Sequence, residues 1–562
     1  MKRPVPTSEI AGLECKHAIC CIANDGSNDD LLVIKENIHT TSGAIIPNLH
    51  FIQNYKRNFY ITKENFQKHE SKKEFEDLDK LQEFTTNQGN LVSAISRAMG
   101  RLGNNNRLKQ LASSPYLYGS DITTPTLIKH EYQKRYPNAI SNNSVAVIDL
   151  ETDVVKGHER PLYVGVTYRN RAFLGVTQEF IGEIPDAAAK LQQTATELLQ
   201  EHFIAREIQL EVLVCADAGE ACWEALQRLH SWQPDFLTMW NIDFDMPRII
   251  KALEENGYNP AVAFSDPRVP ERFQFFNYKQ GPSIKITASG VKEALSPEKR
   301  WHVMSCPASF YIIDSMCLYK RIRTAEQNEF SYKLDYQLHK HLGKRKLNVA
   351  KAEPYTGMAW HEFMQTECKL EYGAYNLFDC IGVELLDEKI KDLAQTISVQ
   401  SGPSEYAIFN SQPKRLVDQF YFFCLERKKV LASCGLEMQT ELDKLTPNLE
   451  SIILTLPAHC RTGGGINALN ELPNIKCDIH LHVSDLDIVS SYPFSQLILN
   501  VSKGTTYREV CKIQNANRET QLLQGINVLA TQVNAYEVAV SLYNAPTFDR
   551  LLGDFEATFQ LP

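Results

Sequence analysis

The sharpest hydrophobic pattern in the chain is Val145-Ala-Val-Ile, which runs straight into Asp149-Leu-Glu-Thr-Asp153. A short unbroken run rich in branched apolar residues predicts a strand covered on both faces. Leu162–Tyr168, the polar turn Arg169-Asn-Arg171 and Ala172–Thr177 then predict a strand followed by a hairpin, so that three strands lie side by side. Glu211–Cys215 is a further strand-like run whose place in the sheet the pattern does not give. Ala218–Ser231 carries Ala, Leu and Trp at helical spacing, Pro234-Asp235 breaks it, and Phe236–Trp240 is again a strand. A helix between strands predicts a right-handed crossover into a mixed sheet. Phe310–Ile313 is another strand, followed by Asp314, and Met358–Leu393 is one long helical stretch. The expected class is α/β.

Outside this region the pattern is weaker. In residues 1–140, Val33-Ile34 and Ile45-Ile46 read as strand fragments and Lys63–Phe84 is charged with a helical period. Asn87–Ser113 holds Gly100, Gly103 and an Asn104–Asn106 turn. A β-rich accessory domain with some helix is expected. Residues 258–310, with Pro260, Pro267 and Pro270, read as a loop-rich insertion. Leu318–Arg323 and His339–Lys346 are strongly basic; the ordinary reading is a solvated face, the alternative a nucleic-acid contact. Gly463–Gly465 marks a tight or flexible connection, and His480–Val489 a new strand.

Composition narrows the classes. The chain has 562 residues, too many for one core, so three or four domains are expected. With 43% hydrophobic and 23% charged residues it is globular rather than disordered. A formal charge of −9 does not advertise nucleic-acid binding, although a basic groove can sit on an acidic body. The fourteen cysteines form no CxxC pair, and Cys15, Cys20 and Cys21 have no partner pair at zinc-finger spacing. Reduced thiols in a cytosolic protein are expected. Met1-Lys-Arg-Pro lacks an apolar signal region and no 18-residue apolar run occurs, so a soluble protein with no membrane partner is expected.

The candidate chemistry lies in carboxylates. Asp149 and Glu151 are two apart on a strand and point to one side. Two acids at the end of a buried strand are costly unless a cation sits between them; the alternative is a solvated acidic turn. In Trp240–Arg248, Pro247 suits a helix's first turn and Asp245 the cap before it, with apolar Ile249–Leu253 following. A cap beyond a strand end also faces the rim that carries Asp149, where Asn241 could hold a substrate strand. In Glu371–Leu386, Tyr375 and Asp379 are four apart on one helical face, either aimed into a cleft or marking an amphipathic boundary. Four converging carboxylates call for metal ions, and two Mg²⁺ (or Mn²⁺) ions suit oxygen ligands. Two such ions roughly 3.5–4 Å apart stabilise the attacking and leaving oxygens of phosphodiester cleavage. Tyr375 could orient the attacking water.

These three segments resemble the Exo I, Exo II and Exo III motifs of the proofreading exonuclease of family B DNA polymerases: Asp-x-Glu, Asn-x-x-Phe-Asp and Tyr-x-x-x-Asp. Pro234–Asn241 also looks like the family's approach to Exo II, although the family often has one more residue between that Asn and Asp. Asp485–Phe494 resembles polymerase motif A, Asp-x-x-Ser-Leu-Tyr-Pro. Asp487 matches the metal-binding aspartate of the palm, and Ser490, Ser491 and Tyr492 the nucleotide side, with Ser491 where the family usually has Leu. Gly463–Gly465 stands near the family's Tyr-x-Gly-Gly region, without its Tyr.

The resemblance implies a ribonuclease H-like 3′–5′ exonuclease domain over 141–395. It implies a mixed α/β N-terminal domain over 1–140, completed by 396–475, and the N-terminal part of a palm over 476–562. It implies Asp149, Glu151, Asp245 and Asp379 as metal ligands, Tyr375 as a catalytic side chain, and Asn241 and Phe244 as contacts to a single-stranded 3′ end. The family's fingers lysine and Asp-Thr-Asp hairpin do not follow motif A. The expectation is therefore the N-terminal subunit of a split polymerase, as in some large bacteriophages, working on primer-template DNA in the cytoplasm (a host's, if viral). Its partners would be a C-terminal polymerase subunit carrying motifs B and C, and a sliding clamp. The alternatives are a stand-alone exonuclease and a non-catalytic replication scaffold.

Overall fold

The computed structural model describes residues 3–433 apart from 71, 72, 74, 101–106, 158, 283, 287–290, 297, 298, 301, 324–328 and 397–420. The chain divides into two compact units, Met1–Ser433 and Cys434–Pro562. The second unit lies outside the described residues. So do the expectations that fall on it: Gly463–Gly465, the palm segment, Asp487, Ser490, Ser491 and Tyr492.

The first unit opens on an antiparallel meander of β1 (Ile10–Ile22), β2 (Asp30–Thr40) and β3 (Ile45–Gln53). The two apolar pairs read as strand fragments are thus parts of long strands. Alternation along β2 sends Leu31 and Val33 to one core, shared with Val269 and Phe273, and Leu32 and Ile34 to another with Ile128. β4 (Arg57–Thr62), β5 (Phe75–Asp77) and β6 (Leu81–Thr86) follow. Among its described residues Lys63–Phe84 is therefore strand and short 3₁₀ turn, not helix. Its helical period of charges is overridden because β6 pairs with β4, and β5 pairs with a strand some 350 residues on. After α1 (Leu91–Ala98) and α2 (Leu108–Leu111), β7 (Leu117–Tyr118) joins β4, and α3 (Thr124–Arg135) packs on β1.

The second part of the unit is a six-stranded mixed sheet. In chain order it comprises β8 (Val145–Thr152), β9 (Pro161–Tyr168), β10 (Arg171–Thr177), α4 (Gln178–Ile181), α5 (Ala187–Leu198), α6 (Gln200–Arg206), β11 (Gln209–Cys215), α7 (Ala218–Trp232), β12 (Phe236–Met239), α8 (Ile242–Glu255) and α9 (Pro260–Ala263). The expected insertion holds two small antiparallel strand pairs, β13 (Asn277–Lys279) with β16 (Val303–Ser305) and, between them in the chain, β14 (Ile284–Ile286) with β15 (Lys292–Ala294). Then come β17 (Tyr311–Asp314), α10 (Ser315–Ile322), α11 (Leu334–Leu342), α12 (Met358–Glu367) and α13 (Lys369–Ile390). The expected single long helix is thus two, parted at Cys368.

The strand order is β11-β10-β9-β8-β12-β17. β9 alone runs antiparallel to its neighbours. The hairpin, the crossover helix and the two later strands are where the apolar pattern places them, and β11 takes the edge beside β10. Both faces are covered: α7 and α8 pack with Ala146, Ile148 and Leu150 on one side, and α5, α11 and α13 with Val147 on the other. The fold class is mixed α/β.

Residues 421–433 return to the first part of the unit. β18 (Lys429–Leu431) pairs with β5, and Ser433 hydrogen-bonds Ser120. The meander is also bonded to the six-stranded sheet. Lys35 Nζ lies 3.7 Å from Asp235 Oδ1, with both groups buried. Asp235 Oδ2 accepts from the Ser144 N–H and hydroxyl, and the His17 ring sits 4.1 Å from that of Tyr311. Among the described residues no helix is long and apolar enough to cross a membrane, and the described cysteines are free thiols.

Candidate metal centre

The strand period turns Val147, Asp149 and Glu151 toward α13. There they meet Asp379: oxygens of Asp149, Glu151 and Asp379 all lie within 4.8 Å of one another. The approach is close because Gly165 on β9 is the register partner of Asp149. A Cβ at that position would stand 2.2 Å from Asn376 Oδ1, so only glycine lets α13 settle here. Asn376, fully buried, donates its Nδ2 to Asp149 Oδ2 at 2.9 Å.

Each of the other acids is held as well. The Tyr372 hydroxyl donates to Glu151 Oε2. His361 Nδ1 lies 2.9 Å from that hydroxyl and 3.7 Å from Glu151 Oε2. Gln365 ties α12 to the end of β8, donating to Thr152 O at 2.8 Å and accepting from Val154 N at 3.1 Å. Lys346 Nζ donates to Asp379 Oδ2 and, at 3.0 Å, to the Tyr375 hydroxyl. Asp379 Oδ1 is buried with no hydrogen-bond partner.

Asp245 comes from the other face. The β12–β8 register, Thr238 opposite Val147, brings the end of β12 alongside Asp149, and α8 starts there. The helix begins at Ile242, so Asp245 is a buried first-turn residue and not the expected cap, and Pro247 lies inside the helix. The start is earlier because Asp314, at the end of β17, accepts the Ile242 N–H at 2.9 Å. Asp245 stands outside the close triad, yet burial and the charges of Asp149 and Glu151 push its carboxyl well up. Asn241 and Phe244 are exposed at this end of α8, and the Arg248 guanidinium lies 3.7 Å over the Phe244 ring.

The electrostatics describe a centre short of positive charge. Burial, then the Asp379 charge, pushes Asp149 up to about 8, against the opposing pull of Lys346 and Asn376. Burial and the charges of Asp149 and Asp379 push Glu151 well up. Burial raises Asp379 despite Lys346. A single ammonium does not balance four desolvated carboxylates. The donor set is all oxygen, and one buried oxygen waits for a partner, which fits a hard divalent cation such as Mg²⁺ or Mn²⁺.

The basic runs are the solvated face expected of them only in part: His339, Lys340 and Arg345 are exposed, whereas Arg323 and Lys346 turn onto buried acids. Lys344 pairs with Glu201, Arg345 with Asp335 and Arg323 with Asp392, while Lys346 turns inward to Asp379. Sequence reasoning missed Lys346, Tyr372, Asn376, His361 and Asp314. For two of them a signal existed. Residues 372, 375, 376 and 379 form one polar stripe along a helix that is buried almost throughout. A scan against protein-family models finds none that matches this chain, and a search of curated proteins finds no match to it either.

Proposed function

We propose that this chain carries a two-metal 3′–5′ exonuclease acting on single-stranded DNA ends, in a ribonuclease H-like domain of a family B DNA polymerase. The observation that carries the reading is the meeting, within 4.8 Å, of the Asp149–Glu151 pair on one strand with Asp379 from a helix far along the chain. The strand order, with only the second strand of the sheet antiparallel to its neighbours, agrees with it.

Asp149, Glu151 and Asp379 would hold one ion, and Asp149 with Asp245 the other. Such ions offset the negative charge that builds up on the phosphate oxygens during phosphodiester cleavage. The chain's own groups do the rest. Asn376 and Tyr372 fix the rotamers of Asp149 and Glu151, so that the oxygens face one point. The Tyr375 oxygen accepts from Lys346, which leaves its O–H free to donate to a water at the scissile bond. Phe244, 39% exposed and backed by Arg248, offers a ring on which a terminal base stacks, and Asn241 beside it offers a donor and an acceptor.

Incubating the full chain with 3′-labelled single-stranded DNA and Mg²⁺ tests this. A ladder of shortened products is expected, and its loss in Asp149→Ala and Glu151→Ala. A chain that leaves the label intact is a scaffold, and a ladder that survives both substitutions means that other acids do the work. The polymerase part of the proposal rests on the motif around Asp487 alone. Primer extension with and without a second chain bearing the Asp-Thr-Asp hairpin tests it.

A further inference from the structure

The helix that carries Asp245 does not cap itself. Asn241 occupies the cap position of α8, but its side chain makes no cap bond. The bond comes from a neighbouring strand: Asp314 Oδ2 accepts the Ile242 N–H at 2.9 Å. The other oxygen, Oδ1, accepts the Cys317 N–H at 2.7 Å and so caps α10. Asp314 is buried, and its register partner in the sheet is Met239, three residues before Ile242. One carboxylate therefore joins two strand ends to two helix starts.

Asp245 sits just under one turn beyond Ile242, and its own N–H reaches the Asn241 carbonyl only at 3.4 Å. The first turn of α8 thus hangs on an acceptor supplied from across the sheet. We propose that Asp314 is a positioning residue of the candidate metal centre: by holding the start of α8 it sets where the Asp245 carboxylate stands relative to Asp149. It touches neither substrate nor metal itself. The inference rests on the proposed function, in which Asp245 serves the second ion. Loss of a group that orients a metal ligand costs about 10–100-fold in metal affinity.

Asp314→Ser separates this role from general stability. A serine is short enough to go on capping its own helix, α10, but does not reach across to Ile242. In the metal-free full chain, amide exchange should speed up over residues 242–245 and stay as in the wild type over 315–318. Mn²⁺ titration followed by electron paramagnetic resonance should show the weaker of two affinities falling about 10-fold or more, and the tighter one kept. Asp245→Ala should remove that same weaker affinity. Asp314→Asn, which keeps the side-chain volume, is the second variant if the serine chain does not fold; the same drop in the weaker affinity is expected. A folded variant with wild-type exchange in α8 and two unchanged affinities overturns the positioning role. A wild-type chain that binds no Mn²⁺ overturns the metal-centre reading, and this inference with it.

Discussion

Replacing Gly165 by alanine probes the tightest contact of the site. The new Cβ would meet Asn376 Oδ1 at 2.2 Å, Asn376 Cγ at 3.1 Å and Cys380 Sγ at 3.4 Å. Ordinary contact needs about 3.4 Å, so the Asn376 amide must retreat by about 1 Å. It sits fully buried on α13, and the retreat pulls Nδ2 off Asp149. Overpacking a dense core costs about 1–3 kcal/mol. Losing a hydrogen bond to a carboxylate costs about 1.5–3 kcal/mol. Gly165→Ala should therefore cost about 3–5 kcal/mol. Asn376→Ala alone should cost about 2–3 kcal/mol, because its Oδ1 has no partner to lose. In the double variant the added methyl enters vacated space, so the pair should cost little more than Asn376→Ala. The assay is urea unfolding in EDTA, followed by fluorescence of Trp240 and Trp360, which pack on the same core. A coupling of about 2 kcal/mol or more is expected. Additive losses would refute the account of why residue 165 is glycine.

Further outcomes follow from the charges. With Asp149 raised to about 8 in the fold, the metal-free protein holds a proton that the unfolded chain releases near the ordinary value of 3.8, so its stability falls as pH rises across that window. A divalent ion binds the ionised form, so the gap in Tm between Mg²⁺ and EDTA should be wider at pH 9 than at pH 6; an equal gap at both would count against the site. Lys346→Met leaves Asp379 without its ammonium and should cost about 2–3 kcal/mol in EDTA, and less with Mg²⁺ present, by the same unfolding assay. Phe244→Ala should weaken the hold on a single-stranded end by about 1–3 kcal/mol, read as a raised KM with kcat kept.

Much of the sheet was legible because its signals are local. Val145–Ile148 ends in acids, Arg169–Arg171 turns a hairpin, and α7 ends before Pro234, each within a few residues. The site acids were legible as types and spacings, since a strand's period of two pairs Asp149 with Glu151 and a helix's near-four pairs Tyr375 with Asp379. What failed to show depends on distant partners. β5 is a strand because β18 lies against it, and Lys63–Phe84 gives no hint of that. The start of α8 moves four residues upstream, its cap from Asp245 to Asn241, because an oxygen arrives from Asp314. Lys346 looks like one more surface lysine until α11 and α13 pack together. Gly165 reads as an ordinary weak point in a strand, and its purpose appears only with Asn376 against it.

The Lys35–Asp235 pair has a practical consequence for anyone dissecting this molecule. A piece starting at Ser144 would look like a complete catalytic domain on paper. It would leave Asp235 without its counter-charge and strip the covering rings and branched side chains from Tyr311, Val269 and Phe273. The opening meander is therefore a buttress rather than an appendage, and heating should melt both sheets in a single step.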